Sequence, residues 1–435
     1  MKSTLRNILL ASALSFAFTG AALAQDTLKL PNMSYRTGPF AATGTPHQNG
    51  QLDYMTMLNE RDGGINGVKI AFDECETGYN TEKGVECYEK LKAEGALVTQ
   101  PWSTGITLQV LPKTNVDAIP MYGPSYGFSA MQDGKTFKWA FNAPTSYWDG
   151  ASMILKAISD GNLDNLKGKK VAFLHLDHPY GKEPLPLLNA LAAKHGFTLL
   201  PIPVGLKEMQ NQSAQWLQIR RERPDFVVMW GWGAMNAGAV TEAAKTKYPM
   251  NQFVSVWWGA HEPDLKLVGD AGKGFRALTW NAVHSDSKIM QDIKKYVVDA
   301  GKSQINKDAG EFDSHAYQRG VMMSVILAEA VKAAQDKSGA KNITREQLRE
   351  GFEAVKLDDA RIKELGAEGM IGPFSLSCAN HTGNAGAWMV EWDGAKFNKV
   401  SELLSADRAE IDPLVMAESA KYADANKPWE TQTCQ

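Results

Sequence analysis

Lys169-Lys-Val-Ala-Phe-Leu-His-Leu176, followed by Pro184 to His195 and then Phe197 to Val204, decides the fold. The first stretch reads as a buried strand, because Val171 to Leu174 is an unbroken apolar run that suits a strand covered on both faces. The second reads as a helix and the third as another strand, so the unit is strand–helix–strand with parallel strands. The rhythm continues outward. Gln212 to Arg223 predicts a helix, Asp225 to Trp230 a strand, Ala237 to Lys245 a helix and Phe253 to Trp257 a strand. Ser146 to Ile158 predicts the helix that precedes the unit. The same alternation runs from residue 28, with strands at Leu28 to Met33, Val68 to Phe72 and Ala96 to Thr99. Helices are expected at Gly44 to Glu60, Thr81 to Ala93 and about Thr107 to Lys113, before Ile119-Pro-Met-Tyr122. Two α/β halves in series imply two lobes with a cleft between them. Ligands of open parallel sheets sit beyond the carboxyl ends of the strands, so the loops after each strand are the places to search.

The N-terminus sets the compartment. Lys2 and Arg6 precede an apolar run from Ile8 to Phe18, and Ala22-Leu-Ala24 is a small-x-small site. This is the pattern of a secretory signal peptide, residues 1–24, cut after Ala24. The apolar run is short of the roughly 20 residues that span a bilayer. An exported protein that works outside the cytoplasm is expected. The chain of 435 residues is 44% hydrophobic and 22% charged, a globular composition, and its net charge of −3 argues against nucleic acid as partner. Four cysteines in an exported chain predict disulfides. Proximity favours Cys75–Cys87 and Cys378–Cys434 among the three possible pairings. No Cys-x-x-Cys pair or H-E-x-x-H helix suggests a metal, and no cofactor is expected.

The loops after the strands are Met33-Ser-Tyr-Arg-Thr-Gly38, Gln100-Pro-Trp-Ser-Thr-Gly105, Gly123-Pro-Ser-Tyr-Gly127, Asp177-His-Pro-Tyr-Gly181, Gly231-Trp-Gly-Ala-Met235 and Trp257-Trp-Gly-Ala-His261. They share hydroxyls, glycines and large aromatics. Hydroxyls and backbone amides hold a polar head, and aromatic faces cover an apolar body or a cation. No acid, histidine or cysteine recurs among them as a catalytic set, so the loops read as a binding site. Gly123-Pro-Ser-Tyr-Gly127 matches G-x-S-x-G literally, which leaves a secreted serine hydrolase built on Ser125, with Asp313 and His315, as an alternative.

Several segments resemble a known family. Gly44-Thr-Pro-His-Gln-Asn-Gly50 and Leu58-Asn-Glu-Arg-Asp-Gly-Gly-Ile-Asn-Gly67 are similar to the first helix and turn of branched-chain amino-acid-type periplasmic solute-binding proteins. Phe72-Asp-Glu-Cys75, Pro179-Tyr-Gly-Lys182, Pro224-Asp-Phe-Val-Val228 and Met370-Ile-Gly-Pro-Phe374 fit the same pattern, over about residues 28 to 400. The resemblance implies a periplasmic location and an α/β type I periplasmic-binding-protein fold, with two Rossmann-like lobes joined by a hinge that close on a solute as a Venus flytrap. It implies a first lobe of residues 25–144 plus about 276–370 and a second of 145–275 plus about 371–400. The tail 401–435 is expected to be tethered by a disulfide.

Carried over residue by residue, the resemblance places a polar head on Ser103, Thr104, Ser125 and the Gly127 amide, with Tyr180 and Trp232 from the second lobe. Two further expectations follow, one from a residue's chemistry and one from a departure from the resembled family. Arg36 is a candidate carboxylate partner, since a guanidinium binds carboxylates bidentately. Trp257 stands near where amino-acid binders commonly carry an acid for the ligand ammonium. An acid then comes from elsewhere, such as Asp313 or Glu262, or the ligand is not a standard α-amino acid. If the strand continues, Trp257 and Trp258 point to opposite faces. The expected solute is an amino acid, an aromatic carboxylate or an amide. The expected partner is an ABC permease of the inner membrane, and the protein itself is expected to be a monomer and not an enzyme. A ligand-sensing receptor module is the other reading.

Overall fold

The computed structural model describes residues 27–308 and 310–434. The expected signal peptide and its cut after Ala24 lie outside them. The chain is a type I periplasmic-binding-protein fold of two α/β lobes. The strand–helix–strand unit forms as read: Lys170–Leu176 and Thr198–Val204 pair in parallel along their whole length, with helix Leu185–His195 between them. They lie at one edge of a seven-stranded sheet. Its order continues through Phe226–Trp230, Phe253–Ser255, Arg276–Thr279, Trp388–Trp392 and Phe397–Lys399. The last two strands are antiparallel additions. Val227, Val228 and Met229 are buried, as a strand covered by helices on both faces requires.

The first lobe is built from shorter ladders. Leu28–Lys29 pairs with Ile70–Ala71, and Asn32–Ser34 with Glu74–Glu76. Met33 bridges to Pro101, Thr99 to Met121, and Met121–Tyr122 pairs with Ala140–Phe141. All are parallel. The expected strand at Ala96 to Thr99 is reduced to such bridges. Pro31 interrupts its neighbour, since proline has no N–H to give a ladder. The Pro31 carbonyl instead accepts from the Gln100 side chain at 3.0 Å.

Two helices hold this lobe together, and the sequence reading included only one. Ala41–Arg61 forms in spite of the internal Pro46. Helix His315–Ser338 packs along it. Every residue of the second helix from His315 to Ala328 is buried, so no polar stripe alternates with an apolar one to reveal it. Glycines set the approach. A Cβ on Gly320 would lie 2.0 Å from the His47 carbonyl oxygen, and one on Gly50 would lie 2.0 Å from that of Tyr317.

The lobe boundaries differ from those expected. Arg276–Thr279 belongs to the second-lobe sheet, because it pairs with Phe253–Ser255 on one side and Trp388–Trp392 on the other. The chain therefore crosses at about residues 280–282, not at 276. Phe374–Ser375 pairs with Lys356–Leu357, and Phe352 beside that ladder stacks on Phe141, so residues after 371 stay with the first lobe. The return crossing comes near Ala385, whose N–H bonds the Pro144 carbonyl at 2.9 Å. The Ala385–Pro144 bond thus joins two crossing segments, and Ala282 N–H bonds the Met370 carbonyl of the first lobe, also at 2.9 Å.

Both disulfides, Cys75–Cys87 and Cys378–Cys434, are formed. The tail carries helix Arg408–Ala425, which touches both lobes. Arg408 pairs with Asp149 and Lys194 with Glu410 on the second lobe. Ser419 and Asp412 bond Ala130 and Gln132 on the first. Among the described residues no helix is long and apolar enough to cross a membrane.

Candidate functional site

The loops at the carboxyl ends of both sheets converge, and their aromatic rings meet between the lobes. Tyr126 of the first lobe lies 5.0 Å from Trp258 of the second, and Tyr35 lies 6.3 Å from Trp232. Trp232 and Trp258 stand edge-to-face at 4.3 Å. Polar tips fix these rings: the Tyr35 and Tyr126 hydroxyls are 3.0 Å apart, and Trp258 Nε1 donates to the Tyr147 hydroxyl at 2.8 Å. Burial pushes the phenols of Tyr35, Tyr126 and Tyr147 well above the usual tyrosine range, so they remain neutral donors.

Arg319 lies among these rings and is 1% exposed. It comes from helix His315–Ser338, and its guanidinium carbon is 4.8 Å from the Trp258 ring centre. Nε donates to Asn281 Oδ1 at 2.9 Å and Nη2 to the Trp257 carbonyl at 3.0 Å. Burial pushes its pKa down to about 10, against the opposing pull of Tyr126 and Glu262, so it keeps its charge at neutral pH. His47, its ring tilted against Trp102 at 4.3 Å, is held well below the usual histidine range by burial and then by Arg319, and is neutral.

The expected site residues are distributed as follows. Arg36 is engaged away from these rings: Nε and Nη2 reach Glu74 at 2.7 and 2.8 Å, and Nη1 reaches Asn49 at 2.8 Å. Its charge is thus already matched. Ser103 takes the N-cap position of helix Thr104–Asp117 without a side-chain capping bond. The hydroxyls of Thr104 and Ser125 are buried with no protein partner. Ser125 has φ of +56°, a strained conformation for a residue with a Cβ. Gly127 sits where a Cβ would lie 2.9 Å from both Thr104 Cγ2 and Glu183 Cγ. Tyr180 gives its hydroxyl to the Gly231 carbonyl at 2.8 Å.

The strand expected through Trp257 stops at Ser255, and Trp257–Gly259 is a 3-10 turn, so the two tryptophans do not alternate across a sheet. Trp257 stacks on Tyr147 at 5.3 Å, and Trp258 faces the first lobe. Of the acids considered as ammonium partners, Glu262 is bound to His315. Burial alone would push the Glu262 carboxyl up, but the histidine holds it below its usual range. That pair also removes the histidine from Ser125, which has no base within hydrogen-bond reach.

Sequence reasoning missed Arg319, Trp258, Tyr35 and Tyr126 as site residues. Arg319 carried one signal: its neighbours at helical spacing, His315, Ala316, Met322 and Met323, include no acid to pair with it. Among the described residues, no group of three or more His, Cys, Asp or Glu is placed to hold a metal.

Comparison with known proteins gives a consistent picture. The sequence profile described as periplasmic binding protein matches residues 27–397. Leu/Ile/Val-binding protein homolog 3 of Brucella melitensis biotype 1 is 27% identical over 198 residues, 44% of this chain and 51% of that protein. The chain thus spans about half the length of the curated relative it matches. A structure from the Pseudomonas fluorescens group, described as an ABC transporter permease, is 37% identical with a TM-score of 0.86, covering 94% of this chain and 100% of that one. A branched-chain amino acid ABC transporter protein of Thermus thermophilus, with bound valine, is 21% identical with a TM-score of 0.76. It covers 90% of this chain and 99% of that one, and at that identity it speaks to the fold alone.

Proposed function

From the premise that this chain belongs to the periplasmic binding protein family of solute-binding proteins, we propose that it is the substrate-binding component of an ABC importer. On this reading it is exported, cut after Ala24, works in the periplasm as a monomer and delivers a small solute to a membrane permease. The solute is an amino acid, an aromatic carboxylate or an amide. The observation that carries the reading is the meeting of Tyr126 with Trp258, and of Tyr35 with Trp232, across the two lobes. Rings from both sides can enclose a solute only when the lobes are closed. A solute touching both lobes therefore favours the closed state over the open one, which is how hinge closure is driven.

A thermal-shift screen of the purified protein against amino acids, aromatic acids and amides tests this. A solute present at 100 times its Kd should add about 2.7 kcal/mol of stability. It should be recovered chemically unchanged. Silence across the whole panel would sink the reading.

A further inference from the structure

We propose that Arg319 anchors an anion in the cleft, and that the solute is a monocarboxylate with an apolar, ring-sized body and no ammonium group. This rests on the solute-binding reading above. A buried guanidinium is costly unless something compensates its charge. Here the protein supplies only neutral acceptors. Nε bonds the Asn281 side chain, and Nη2 bonds the Trp257 carbonyl and, at 3.4 Å, Thr279 Oγ1. Nη1 donates to no group among the described residues, and no carboxylate among them lies within ion-pair distance of Arg319. The rings of Trp258 and Trp280, at 4.8 and 5.8 Å, stabilise the cation without neutralising it. A carboxylate on Nη1 would complete both the hydrogen bonding and the charge.

Further donors in the same loops also await acceptors. Trp102 Nε1, Trp232 Nε1 and the Ser125 hydroxyl are buried without a protein partner. A polar group of a solute held between the lobes can take up such donors. The surrounding rings favour an apolar, flat body.

An ammonium is less well provided for beside Arg319. Glu262 is bound to His315, Asp264 accepts from Asn236 at 3.0 Å, Asp53 accepts from Tyr317 at 2.7 Å, and Glu311 accepts from Asn49 at 2.6 Å. These four acids are engaged, Glu183 beside Gly127 keeps one carboxylate oxygen without a protein partner, and the cation among the rings is Arg319. A zwitterion whose carboxylate lay on Nη1 would bring its ammonium towards the same guanidinium, where like charges repel.

The decisive experiment is calorimetric titration of the wild-type protein with matched pairs: benzoate against benzamide, and phenylacetate against phenylacetamide. Valine and benzylamine complete the set, with R319Q and R319K measured alongside. At least one carboxylate should bind about 100-fold tighter than its amide, because the amide leaves the guanidinium uncompensated. It should also bind at least about tenfold tighter than valine, and benzylamine should not bind. R319Q should lose this preference and R319K should keep part of it. If R319Q does not fold, the wild-type pairs alone decide. An amide or valine that binds as tightly as the best carboxylate would overturn the inference and leave a solute-binding protein standing. No binding by any of these overturns the inference, and silence in the wider thermal-shift panel would remove the solute-binding reading as well.

Discussion

Trp257 and Trp258 are adjacent, both are at most 2% exposed, and their work differs. Trp257 stacks on Tyr147, and its ring fills the space that a Cβ on Gly150 would enter at 2.6 Å. It is second-lobe core, and it reaches the cleft through the carbonyl that holds Arg319. Trp258 meets Tyr126, Trp232 and Arg319. Trp257→Ala should therefore cost about 3–5 kcal/mol of stability, the range for deleting a buried tryptophan. Trp258→Ala should also destabilise, but in addition should weaken solute binding by at least about tenfold, since it strips the ring facing the solute. Chemical denaturation and titration of both variants separate these outcomes. Equal loss of affinity in the two would show that both rings touch the solute.

Elements in this molecule are held by close approach and by tethers. Helices Ala41–Arg61 and His315–Ser338 touch backbone to backbone at Gly50 and Gly320. Gly50→Ala gains helix propensity, worth about 1 kcal/mol, but its Cβ meets the Tyr317 carbonyl. Overpacking at such a contact costs about 1–3 kcal/mol, so the net effect should be destabilising. A raised melting temperature for Gly50→Ala would contradict this packing. The C-terminal helix depends on its tether. The Cys378–Cys434 bond closes a separation of 56 residues, and Trp429 and Tyr422 pack around Phe137 beside it. In the chain-entropy account a loop of that length is worth about 4 kcal/mol. Cys434→Ser should lower stability by up to that amount and expose the tail after Ala425 to protease. A tail that resists proteolysis equally in both forms would show that ring packing alone holds it.

At the scale of the whole molecule, the contact between the lobes brings together groups that titrate. Glu183 of the second lobe accepts from the Ser129 N–H of the first at 2.7 Å, and its other carboxylate oxygen is buried without a partner. Burial pushes the Glu183 carboxyl up to about 7, offset in part by Ser129 and reinforced by Asp149 and Glu418. An acid whose pKa is raised on folding stabilises the folded state fully below its unfolded pKa. That stability is lost as pH rises through the folded value. The stability that Glu183 contributes should thus be greatest near pH 4.5 and fall progressively up to about pH 7, by at most about tenfold in the folding equilibrium per pH unit. Glu183→Gln should flatten this dependence. Melting temperatures of the wild type and the variant across pH 5 to 8 provide the check, because contributions from the rest of the chain cancel in the comparison. Parallel curves would mean that Glu183 keeps an ordinary pKa in the closed protein.

Much of this architecture is local and so was legible in the chain. Apolar runs such as Val171 to Leu174 and Phe226 to Trp230 specify strands buried on both faces, and Thr81–Ala93 forms with the bounds read from its pattern. The loops holding Ser125, Tyr180 and Trp232 were found because strand ends announce themselves. What the sequence could not disclose depends on contacts between distant segments. Helix His315–Ser338 is buried on every side along its first half and has no amphipathic signature to read. Arg276–Thr279 joins the second-lobe sheet because of its partners, not its composition. Arg36 and Arg319 show the same divide. Both are single arginines, and only the lack of an acid at helical spacing hints at the second, yet Glu74 neutralises one and the fold buries the other among rings. Pattern along the chain determined which segments become strands and helices. The tertiary structure alone decided which charge was left unpaired, because pairing is a matter of distance in space.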